Sequence, residues 1–241
     1  MFGLGTLVSA ACSLVSSACS AACSLCSKIG GGVMSGISSL VSKIIGPNLG
    51  PNVEEMVNFF VKVISFLAEY FSDKPKEEEP EEIGMKAEQA EKAGKKPDDF
   101  DSINEYIEYL RNEIQLDSDK MKKLSDEERL KYQLVGSGLY IRDVEEKQGL
   151  TLAPDFLESA IKLKEQGYTE MDIANLMQSM KNNGVTDAKQ YVDFLKGDLQ
   201  PGTPERHQVY ASVKDMVEQH FKGEEVNMRE KINKLADTVR E

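Results

Sequence analysis

The sequence predicts an all-α protein built as an apolar N-terminal helical segment, a charged linker and a C-terminal multi-helix domain. Two observations predict the class. From Phe100 onward, apolar residues recur at the spacing of one helix face, and alternating runs of β-branched residues are scarce throughout. A third observation predicts the division. Met1 to Ser72 holds three Lys and three Glu, so the whole formal charge of −12 falls on Asp73 to Glu241. The boundaries follow as 1–72, 73–99 and 100–241. A balance of 29 basic to 41 acidic residues also argues against a nucleic-acid partner, because phosphate binding needs a basic face.

The first element is an uncharged run from Phe2 to Ser27, long enough to cross a bilayer at about 20 apolar residues. Ser, Ala, Cys and Gly dominate it. On a helical wheel Cys12, Cys19, Cys23 and Cys26 share one arc, with a strip of serines beside it. Leu7, Leu14, Ala18, Ala21 and Leu25 face the other way. Small residues let a second backbone approach closely, so the run predicts a membrane or assembly face. A signal peptide fits poorly, since no basic residue precedes the apolar stretch. Gly30, Gly31 and Gly32 then supply a hinge, because three successive residues lack a side chain to restrict φ.

A second helix is predicted through Val33, Ile37, Leu40, Val41, Ile44 and Ile45, ended by "GPNLGP". A third opens on a capping box of Asn52 and Glu55. Its polar residues form one thin stripe, and Phe59, Phe60 and Phe66 extend the membrane or assembly face. A stripe this thin suits burial on most sides or residence in a membrane interface. Two readings therefore stand for 1–72: contact with a membrane or with other copies of the chain, or an ordinary hydrophobic core.

Residues 73–99 hold three prolines, two glycines and a dense mixture of charges. They predict a solvated linker with a short helix over 85–93 and almost nothing buried. In the C-terminal domain Ser102 caps a helix carrying Ile103, Tyr106, Ile107 and Leu110. Ser125 and Glu128 form a capping box for a longer helix, with Gly136 and Gly138 at an expected kink. Pro154, Thr169 with Asp172, Thr186, and Thr203 with Pro204 mark four further starts, and the last helix is "NMREKINKLADTVRE".

Between Phe156 and Gly197, three short helical patterns are joined by tight glycine-containing turns. The Gly167-Tyr168 turn and its spacing to Val185, Ala188 and Tyr191 resemble the small three-helix ubiquitin-associated domains. The likeness rests on one dipeptide and apolar spacing, and no ubiquitin-binding role is carried over from it.

Cys19, Cys23 and Cys26 reproduce the C-x3-C-x2-C spacing with which radical-SAM enzymes hold an iron–sulfur cluster. That family sets its cysteines on a loop after a strand of a β/α barrel, whereas here they lie in a helical pattern with no alternating strands. Cys12 stands about 10 Å from Cys19 by helix rise, too far for one tetrahedral metal site. The cysteines are read as small packing residues, or as sites of lipid attachment, in a reducing compartment. His207 and His220 stand in no H-E-x-x-H pattern, and neither a phosphate-binding loop nor a G-x-S-x-G elbow occurs.

The expectation is a non-enzymatic structural protein with no cofactor, membrane-associated or held within an assembly. It anchors or self-assembles through 1–72 and presents the acidic helical domain 100–241 to a protein partner. Phage and injection-machine components share this general plan. The alternative is a soluble helical adaptor whose N-terminal helices pack on its own core.

Overall fold

The computed structural model describes residues 52–72, 78–152 and 154–240, and over these the protein is all-α. The first two predicted helices, the hinge glycines Gly30, Gly31 and Gly32, and the four cysteines lie outside the described residues. The helices are α1 (Asn52–Tyr70), α2 (Pro80–Lys92), α3 (Ile103–Glu113), α4 (Ser118–Met121) and α5 (Asp126–Gln148), then α6 (Pro154–Glu165), α7 (Glu170–Asn182), α8 (Lys189–Lys196), α9 (Pro204–His220) and α10 (Met228–Arg240). A 3-10 turn, Pro97–Asp99, precedes α3, and an isolated bridge joins Thr151 to Asp187. Among the described residues no helix is long and apolar enough to cross a membrane. The described residues fall into two compact units, 52–146 and 147–240.

In the first unit α5 is the central element. Every residue from Leu134 to Ile141 is buried, as expected of a helix covered on all sides. α1 contributes Val63, Ile64, Leu67 and Ala68 to the core, and α3 contributes Ile103, Tyr106, Ile107 and Leu110. Ser102 caps α3 as expected, its hydroxyl accepting from the Glu105 amide at 3.1 Å. The Ser125–Glu128 box also forms, with the Glu128 carboxylate accepting from the Ser125 amide at 2.9 Å.

Two expectations fail in this unit. Residues 80–92 are not solvated linker but a full helix, starting five residues before the expected 85 and burying Ile83, Met85, Ala87 and Ala90. The dense charge hid a narrow apolar stripe, and several of the charges meet partners on other elements, Glu81 with Arg129 and Glu88 with Lys131. Lys86, 7% exposed, pairs with Glu78 and also donates to the Arg111 carbonyl at 3.3 Å. Gly136 does not kink α5, which runs unbroken. Its role is close approach: a Cβ there would overlap the backbone of Pro80, and a Cβ on Gly84 would overlap that of Tyr132. The α2 and α5 backbones therefore meet through two glycines.

The second unit packs α7 against α9, with α8 against α6, α9 and α10. Met177, Met180, Val209, Val213, Met216 and Val217 are fully buried along the α7–α9 contact. The three-helix pattern over 156–197 does not stand alone among the described residues, because α9 and α10 pack against its helices. α6, α7 and α9 start at Pro154, after Thr169 and after Thr203, as predicted. α8 does not start at Thr186. The Thr186 carbonyl and Ala188 amide are both engaged by Thr151, each at 2.9 Å, so the helix begins only at Lys189.

Candidate functional site

Two arrangements in the second unit gather polar chemistry. The first joins the N-terminus of α7 to the C-terminus of α9. Thr169 and Asp172 form a capping box in which one carboxylate oxygen accepts from the Thr169 amide at 2.7 Å and its hydroxyl at 2.8 Å. The same oxygen lies 2.9 Å from His220 Nδ1. The imidazole stacks on Tyr168 at 4.4 Å and meets Phe221 edge-on, while Lys231 sits 4.2 Å above the Phe221 ring. Burial, helped by the nearby Asp172 carboxylate, pushes the Tyr168 hydroxyl up to about 12. The adjoining cavity holds about 170 Å³. One Asp172 oxygen is shared by Thr169 and His220, which ties the start of α7 to the end of α9, while Gln166 Oε1 on the cavity wall is buried without a hydrogen-bond partner among the described residues.

The second arrangement is a groove of about 390 Å³ among α8, α9, α10 and the turn at Pro201-Gly202. Phe194 and Ile232 form its largely buried floor, and Tyr210, 44% exposed, forms a wall in edge contact with Phe194. The Arg206 guanidinium lies over the Phe194 ring at 5.3 Å and donates to the Leu199 carbonyl at 2.8 Å. This fixes the planar fork and leaves further N–H donors free. His207, Arg229 and Asn233 line the groove with exposed side chains that have no hydrogen-bond or ion-pair partner among the described residues. Helical spacing produces the cluster. Arg206 and Tyr210 are four apart on α9, and Arg229, Ile232 and Asn233 fall at i, i+3 and i+4 on α10.

The residues expected to form an assembly face are not part of either arrangement. Leu7, Leu14, Ala18, Ala21, Leu25 and the cysteines Cys12, Cys19, Cys23 and Cys26 lie outside the described residues. Phe59 and Phe60 fall within α1, but their side chains are outside the description too. Phe66 is half-buried and stacks on Tyr70 at 5.9 Å, and Tyr70 meets Phe71 edge-on at 5.0 Å. The groove residues went unpredicted, although a signal was present: α10 carries four basic and two acidic residues in an otherwise acidic chain. Among the described residues no group of three or more His, Cys, Asp or Glu is placed to hold a metal ion. No protein-family model matches the chain, and no curated protein or solved structure matches it.

Proposed function

We propose that this chain is a non-enzymatic assembly protein that anchors or self-associates through its N-terminal apolar helices and offers its C-terminal helical unit to a protein partner. The observation that carries the anchoring half is on α1. Val63, Ile64, Leu67 and Ala68 are buried in the first unit, yet Phe66, Tyr70 and Phe71 leave an aromatic strip part-exposed beside them. Tyr70 is 43% exposed. This strip lies at the C-terminal end of the apolar segment 1–72, whose uncharged run spans Phe2 to Ser27. Aromatic rings at the edge of an apolar segment favour an interface, where one end is dry and the other wet.

The test is flotation of the full chain with liposomes, together with sedimentation of the same protein without lipid. The reading expects flotation or a concentration-dependent oligomer, and loss of that behaviour when 2–27 is deleted. A full chain that stays monomeric, ignores liposomes and behaves no differently after the deletion overturns it. The burial of α1 within its own unit favours a second reading, a soluble adaptor whose N-terminal helices cover its own core. In that case deleting 2–27 exposes apolar surface, and the shortened protein aggregates or melts earlier while the full chain remains a monomer.

A further inference from the structure

The groove of the second unit is at odds with the charge of the chain around it. In a protein of net charge −12, it gathers two guanidinium groups, an imidazole and a free amide around an aromatic floor. We propose that it docks an acidic peptide segment of a partner protein. Such a segment would set one apolar side chain against Phe194, Tyr210 and Ile232, and its carboxylates on Arg206 and Arg229. The proposal names the occupant of the partner-facing unit and rests on the reading of that unit as a docking module.

Three features select this occupant. The volume is about 390 Å³, more than twice the ~150 Å³ that admits a benzene ring, so a large side chain and its backbone fit. The apolar floor wastes surface on a free inorganic anion but gains from a leucine or phenylalanine side chain. The cations are too few for a nucleic acid. Two arginines match a pair of carboxylates, whereas a duplex contact engages roughly six to ten phosphates, and exposed Glu205 and Glu230 adjoin Arg206 and Arg229 in sequence. Arg206 is also prepared in advance. Its stack on Phe194 and its bond to the Leu199 carbonyl hold the fork before any ligand arrives, which reduces the ordering cost of binding.

The test titrates the full chain into a fluorescein-labelled octapeptide of alternating glutamate and leucine with blocked ends, read by anisotropy. Saturable binding is expected, weakened about tenfold by Arg229→Glu and about tenfold by Tyr210→Ala. Arg229 and Tyr210 are both exposed, so the helical circular dichroism should stay unchanged and separate lost binding from lost fold. Raising salt from about 0.05 to 0.5 M should weaken binding severalfold. Equal binding of a lysine–leucine peptide overturns the proposal, as does an undiminished affinity in Arg229→Glu or no binding up to about 1 mM. Equal binding of a glutamate–alanine peptide, displaced by inorganic phosphate, would identify a bare anion site and also overturn it. These outcomes leave flotation and sedimentation untouched, so failure of the groove is distinct from failure of the anchoring reading.

Discussion

Residues 52–146 carry 25 acidic and 14 basic side chains, whereas 147–241 carry 16 and 13. The two units spend their cations differently. In the first, Lys86 is held by Glu78, Arg129 by Glu81, Arg111 by Glu108, and Lys92 and Lys131 by Glu88. In the second, Arg229 and His207 have no partner among the described residues and line a groove. In the first unit Arg129 and Lys131 tie α5 to α2 through Glu81 and Glu88, whereas the pairs of Lys189, Lys214 and Arg240 in the second unit each stay within one helix. The helix contacts differ as well. α2 and α5 touch backbone to backbone at glycines, while α7 and α9 pack through buried methionine and valine side chains.

The contrast in packing can be broken most severely at Gly136. Gly136→Ala forces a methyl group into the Pro80 backbone and should cost about 3 kcal/mol or more, because overpacking against main chain cannot relax by a rotamer change. Hydrogen exchange resolved by residue is the right readout, with protection lost in 80–146 and kept in 170–217. The opposite error belongs to the second unit. Met177→Ala should cost about 3 kcal/mol through the cavity it leaves, while Met177→Leu should cost under about 1.5 kcal/mol, both measured by urea unfolding.

Asp172→Ala removes the Thr169 box and the His220 contact together, and about 2 kcal/mol of stability should go with them. A loss equal to that of His220→Ala would show the capping box to contribute nothing. Glu88 sharpens the electrostatic side. Burial alone would raise its carboxyl, but hydrogen bonds from Lys131 and Lys92 outweigh burial and hold it below the ordinary glutamate value. A depressed folded pKa stabilises above the unfolded value, and that stability is lost as pH falls through the folded one. Glu88→Gln should therefore cost about 1 kcal/mol at neutral pH, with the cost shrinking below about pH 4. The smallest effect is expected at the exposed Lys214–Glu218 pair, where Lys214→Ala should leave the melting temperature unchanged.

Local chemistry made several helices legible in advance. Ser102, Ser125 with Glu128, Thr169 with Asp172, Pro154 and Pro204 each act within one turn of the residues they cap or start, so their signal needs no distant partner. The charge of 80–92 misled for the same reason read backwards. Solvation was the local expectation, and only a neighbour at Arg111 or Tyr132 shows why Lys86 and Gly84 are buried there. Thr186 looked like a helix start until Thr151, 35 positions earlier, engaged its carbonyl.

The class of fold and most helix starts were thus set by spacing and caps, which are properties of contiguous residues. The groove was decided elsewhere. Phe194, Arg206 and Arg229 are separated by long stretches of chain, and no periodicity within one helix says that their side chains converge. Packing of α8, α9 and α10 around a shared core brings them together, because burial of apolar faces fixes which polar faces are left to meet.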